Sequence, residues 1–371
     1  MTAKRFICMI AISSFLCVGL GIYGFMIAGT HPDDYKSAEK IQWVLPPSTS
    51  YHIERWGEVF FVNKGETVCV MTVKDGKPQW RASGVLEYGG ANKIIYCEDG
   101  KYGYMDLDGK ILIKARFDYA EAFCGDYALV KNADRESIVI NQRGNELFAF
   151  GEEKNVLWAE EGLLSISNQG DRAPARIFDC KNGAYTDNYQ NKRPLGKNLY
   201  SVTVDSTKDE DSISVIRDED GYLLLGGERF LSIDEFDHGI SFVKMESGES
   251  GYMNTNGEMV LTLADGWEAG SFREGKGIVD TGKEILIVNE NGRIIAERPK
   301  RNIIGVRFCF FSEGFSQVCV KNEGETPPES WGYMDENGEF VVPPIFSHVE
   351  PVSQGCAVVY YGSSMGIVKV K

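Results

Sequence analysis

The pentapeptide "GSSMG" at 362–366 fits the Gly-x-Ser-x-Gly pattern of a nucleophile elbow, with Ser364 as the attacking hydroxyl. That chemistry needs a strand-turn-helix bend and a later histidine. Only seven residues follow Ser364, and none is a histidine, so the stretch reads as a glycine-rich hairpin turn. "SAEK" at 37–40 fits Ser-x-x-Lys but has none of its partner motifs. The turns "DLDG" (106–109) and "DEDG" (218–221) match the first residues of a calcium loop, yet neither has the bidentate glutamate at the twelfth position. Weak calcium binding by clustered carboxylates is the most they offer. His31, His52, His238 and His348 form no metal-ligand spacing. His348 in "IFSHVEP" aligns with Tyr119 in "RFDYAEA", a position filled by a ring, and Glu350 falls opposite Glu121, which reads as a solvated face before it reads as an acid/base pair.

Seven cysteines follow residue 30: Cys69, Cys97, Cys124, Cys180, Cys309, Cys319 and Cys356. The odd number and the lack of Cys-x-x-Cys argue against a disulfide framework and against zinc. Most sit among Val, Ile and Phe and suit small buried hydrophobes. Cys309 and Cys319 flank the "FSEG" turn, where a cross-strand disulfide is the one pairing the spacing suggests. No motif calls for a cofactor, a metal site or a catalytic residue.

What must position all these groups is a repeat. Hairpin-type turns occur at Gly76, Gly109, Gly144, Gly183, Gly221, Gly257, Gly292 and Gly338, in steps of 33, 35, 39, 38, 36, 35 and 46 residues. A second series keeps step at Gly90, Gly125, Gly162, Gly196, Gly239, Gly275, Gly314 and Gly355. Glycine takes a positive φ without cost and Asp or Asn tolerates it, which tight hairpins require. The flanks, such as "FVVPP" and "CAVVY", are β-rich runs of about five residues.

The stretch from Trp331-Gly332 to Val359, "WGYMDENGEFVVPPIFSHVEPVSQGCAVV", resembles the WG-repeat proteins common in bacteria, and Tyr102-Gly103 with Phe123 and Gly125 matches next best. Gly251-Tyr252 and "FSEG" at 311–314 follow. The resemblance implies a repeat scaffold covering about 50–371, without catalytic residues.

Four short strands and their turns fill about 36 residues, near the observed period, so each repeat can be a four-stranded antiparallel blade. The fold expected is all-β: a β-propeller of about eight short blades, with an open β-solenoid-like array as the alternative because the period is short. "MGIVKVK" (365–371) looks like an extra strand, and pairing it with a strand at 51–62 would cover two exposed edges. In each aromatic-Gly pair the ring packs between repeats while the glycine lets another backbone approach.

The N-terminus differs. Lys4 and Arg5 precede 23 uncharged residues, 6–28, long enough to cross a bilayer and longer than a signal-peptide core. Neither Cys8 nor Cys17 has the small residues a lipoprotein signal needs. The expected layout is a cytoplasmic tail (1–5), a transmembrane signal anchor (6–28), a juxtamembrane linker (29–50) and a repeat domain (51–371) outside the cytoplasm, with secretion after cleavage near 28–30 as the alternative. Without Lys4 and Arg5 the chain has 37 basic and 54 acidic residues, a net of −17, which disfavours nucleic acid. The acidic loop 205–212 and the insertion "KNEGETPPES" (321–330) lengthen two repeats. The function expected is a membrane-anchored binding or scaffolding module for an unknown protein or glycan. The alternatives are a cell-envelope hydrolase using carboxylates near the propeller axis, and the ectodomain of a sensor working with a membrane partner.

Overall fold

The computed structural model describes residues 41–371 except 66, 75, 91, 171–174, 187–191, 207–211, 219–221, 301 and 323–327. The apolar stretch 6–28, His31, "SAEK", most of the acidic loop, the tip of "DEDG" and the centre of the later insertion lie outside the described residues. Among those described, no helix is long and apolar enough to cross a membrane.

Among the described residues thirty-five strands, β-paired only to antiparallel neighbours, form eight sheets. Seven have four strands each, and the sheet from Lys192 to Thr262 has seven. We number the meanders as blades 1–4 (52–84, 86–117, 119–150, 154–186), blades 5 and 6 (192–223 and 230–262, sharing the seven-stranded sheet), blades 7 and 8 (268–299, 311–346) and blade 9 (348–369 with 42–48). Eight sheets thus hold nine meanders. The described residues divide into two compact bodies, one of 54–72 and 79–189 and the other of 41–53, 73–78 and 190–371.

Three recurring contacts explain why this sequence makes these blades. The first is the turn between the third and fourth strands. Asp106 Oδ1 accepts the N–H groups of Asp108 (3.0 Å) and Lys110 (2.9 Å), and Asn141, Asn254, Asn289 and Asp335 repeat the pattern. The side chain imitates a backbone turn and the glycine after it supplies the positive φ, +84° at Gly109 and +79° at Gly338.

The second contact is made by the tyrosine two residues after the aromatic position. Tyr104, Tyr252 and Tyr333 are fully buried, and their hydroxyls donate to the carbonyls of Glu121 (2.7 Å), Gly270 (2.8 Å) and Glu350 (2.6 Å) in the next blade. Burying a ring contributes roughly 1.5–3 kcal/mol, and satisfying its hydroxyl removes the penalty that would offset it. The third is close backbone approach at the glycine of the aromatic-Gly pair. A Cβ on Gly332 would lie 2.6 Å from the Val342 carbonyl oxygen and 2.8 Å from the Pro344 nitrogen. The fourth strand bulges over the glycine here, since Trp331 and Tyr333 pair with Phe346 and Val342. Proline suits a bulge because no ladder N–H is required of it.

That bulge also corrects the expected boundaries. Gln42–Ser48, inside the segment expected to be linker, is a strand paired with Ser364–Lys369, whereas 52–56 begins blade 1. The ladder slips between Leu45 and Ser48, at Pro46-Pro47, above Gly366. Blade 9 therefore repeats the Pro-Pro bulge of blade 8 with its fourth strand drawn from the other end of the chain. Ser364–Lys369 is its third strand.

Candidate binding surface

The contacts above use the same residues in blade after blade. Residues of the first strand and the turn after it change chemistry from blade to blade, and in the second body they form a polar row. Those turns place two successive residues at positive φ: His238 (+49°) and Gly239, Glu274 (+53°) and Gly275, Glu313 (+54°) and Gly314, Gln354 (+53°) and Gly355. This matches the twist of the flanking strands and aims two backbone N–H groups outward together, a cradle for an anion.

The preceding blade fills that cradle. Glu274 accepts from Glu313 N (2.6 Å) and Gly314 N (2.8 Å), and Glu313 accepts from Gln354 N (2.6 Å) and Gly355 N (2.7 Å). Asp237 makes a longer version with Gly275 N, 3.4 Å, and also meets His238 Nδ1. The row ends at Gln354, whose buried Oε1 has no hydrogen-bond partner.

Beside these staples, side chains from blades 5, 6 and 7 converge. Ser271 Oγ donates to Asp234 Oδ2 (2.7 Å), and Arg273 Nη2 to Glu235 Oε2 (3.1 Å). Arg193 donates to the Ile233 carbonyl. Burial lowers the Arg193 pKa, opposed by the carboxylates of Asp234 and Glu235. Glu268 and Arg307 continue the pattern at 3.4 Å. The acids come from several blades, but each is engaged by an amide, a hydroxyl or a cation of a neighbour. The arrangement fixes the relative position of blades and presents a mixed polar surface.

The residues singled out in the sequence fall as follows. Ser364 opens a strand directly after the two-residue turn Gly362-Ser363, as a hairpin requires. His348 stands at the surface, its ring edge-on to Trp331 (5.8 Å) and tilted against Tyr360 (5.4 Å), and this packing lowers its pKa. His52 is exposed in the first strand of blade 1. Tyr360 OH reaches Glu350 Oε1 at 3.3 Å, and burial raises the Glu121 pKa. The aspartate of "DLDG" is occupied by its Asx turn. Among the described residues no three His, Cys, Asp or Glu side chains gather as for a metal ion.

The expected Cys309–Cys319 disulfide is not formed, and all seven cysteines are free. The hairpin around "FSEG" pairs only Phe311 with Ser316 and Ser312 with Phe315. Cys309 lies before it in a turn closed on Val306, and Cys319 faces Trp331. Burial pushes the Cys309 thiol up to about 12, and Cys180, Cys319 and Cys356 to about 11. Such thiols stay protonated at neutral pH and are poor nucleophiles. Sequence reading missed Glu274 and Glu313, although an acid directly before the turn glycine was a visible signal. Arg193, Asp234 and Glu235 had none.

The WG containing repeat family matches residues 102–135 and 331–363, the two stretches that contain Tyr102-Gly103 and Trp331-Gly332. No curated protein matches the chain. Similar solved structures include the crystal structure of the eukaryotic initiation factor, at 11% identity and TM-score 0.50 over 85% of this chain and 94% of that one. They also include BamB from Moraxella catarrhalis (10%, 0.32, 77% and 94%) and the C-terminal WD40 domain of Sif2 (9%, 0.36, 89% and 98%). The fold is that of an all-β, β-propeller repeat protein carrying WG repeats.

Proposed function

We propose that this chain is a non-catalytic binding or scaffolding module, tethered to a membrane by residues 6–28 and displaying its repeats outside the cytoplasm to a protein or glycan partner. One observation carries the non-catalytic part: the carboxylates of the polar row are each committed to a neighbour's amides, hydroxyl or cation. The placement rests on the 23-residue apolar segment after Lys4 and Arg5. It is tested by fusing alkaline phosphatase, active only after export, or a cytoplasm-requiring fluorescent protein to Lys371. The phosphatase fusion should be active and stay with carbonate-washed membranes, and deleting 6–28 should abolish both properties. Fluorescence without phosphatase activity would reject the placement.

A further inference from the structure

Aligning blades by their first-hairpin turns shows that blade 5 departs from the WG pattern at one connected place. Ser214 stands where blade 8 has Trp331 and blade 2 has Tyr102. Thr203 pairs with Ser214 as Cys319 pairs with Trp331, and Ser201 takes the place of Gln317. In the following blade, Ser232 takes the place of His348, the ring that packs edge-on to Trp331. Four side chains of one interblade cluster are thus replaced by small hydroxyl residues. Blade 6 also has a serine, Ser250, at the aromatic position, but Phe242 stands there where blade 5 has Ser201 and packs into the core.

The result is a cleft of about 350 Å³ lined by Arg193, Ser201, Thr203, Ser214, Ser232 and the aliphatic pair Leu231 and Ile233. The backbone is irregular at the same place. The fourth strand of blade 5 is reduced to a bridge at Leu223, and Leu225, Gly226 and Gly227 follow at φ +54°, +63° and +83°. Through this detour the strand ladder between blade 5 and blade 6 is cut to one pair among the described residues, Ser214 with Phe230, beside the hydrogen bonds from Phe236 N to the Leu195 carbonyl and from Arg193 to the Ile233 carbonyl. A leucine in the left-handed region is uncommon and persists where surrounding structure holds it.

We infer that this cleft binds one ring of a neutral saccharide, seated in the room that an aromatic side chain fills in the WG blades. Its volume is at the small end of ligand sites, suited to one or two rings. Four hydroxyls both donate and accept, and Leu231 and Ile233 offer an apolar wall to a sugar face. Arg193 gives one N–H to Ile233 and has others to offer, while Asp234 and Glu235 offset its charge. Within a chain of net charge −15, that compensation favours a neutral over an anionic ligand.

The inference deepens the binding-module reading and rests on it, but its test is independent of export. Saturation-transfer NMR on the full chain in micelles would use glucose, N-acetylglucosamine and glucuronate as probes. Transfer to at least one neutral sugar is expected, with Ser214→Trp weakening it at least tenfold by plugging the cleft as Trp331 does. Thr203→Val, which removes one hydroxyl and suits a strand, should weaken binding severalfold and decides the matter should the tryptophan variant misfold. No transfer to either neutral sugar, transfer to glucuronate alone, or binding unchanged in both variants would overturn the inference. Reporter export would be untouched by any of these results.

Discussion

The hydroxyl of Tyr333 illustrates how single atoms hold this fold. It is fully buried and its acceptor, the Glu350 carbonyl, belongs to the next blade. Tyr333→Phe leaves that carbonyl short of a donor and should cost about 1–2 kcal/mol in chemical denaturation. Gly332→Ala should be worse than its size suggests, since the new methyl meets backbone atoms that cannot rotate away; about 1–3 kcal/mol is expected by the same assay. Glu121 gives a pH signature. Burial raises its pKa from 4.5, so the folded state holds the proton more tightly than the unfolded one, and stability falls as pH rises through the raised value. Glu121→Gln should therefore melt higher than the wild type at pH 7, and the advantage should vanish below about pH 4.5. These residues were legible as repeat positions, but their partners were not, because a carbonyl acceptor leaves no mark in the side-chain sequence.

At the scale of elements, turns and periodicity were legible because both are local: an Asp or Asn three residues before a glycine closes the hairpin turn at Asp106, Asn141, Asn254, Asn289 and Asp335. The strand Gln42–Ser48 was misplaced because its partner lies at the far end of the chain, although "LPPS" carries the same Pro-Pro bulge as "VPPI" in blade 8. Its removal exposes the edge of Ser364–Lys369. A chain lacking 42–48 should unfold at lower denaturant and self-associate in light scattering, as an uncovered β edge does. The staples were missed for another reason: the acid before the turn glycine was visible, but its reach to the next turn depends on left-handed backbone at Glu274 and Glu313, residues that seldom adopt it.

Across the whole molecule, composition and the N-terminal segment framed where such a repeat protein would work, while its partner had no signature in any motif. The repeat-constant residues build blades, and the variable ones, in the polar row and in the blade 5 cleft, give the surface its identity. Central to the fold at this scale, Glu274 and Glu313 of that row hold the amides of the following turns. Residue-resolved hydrogen exchange tests this most directly. If Glu274 and Glu313 staple the following turns, the amides of Glu313, Gly314, Gln354 and Gly355 should exchange about a hundredfold or more slowly than those of an open turn, and Glu313→Ala should release only the last two. Exchange at open-turn rates in the wild type would contradict the account, because it would leave both carboxylates free to act as acid or base.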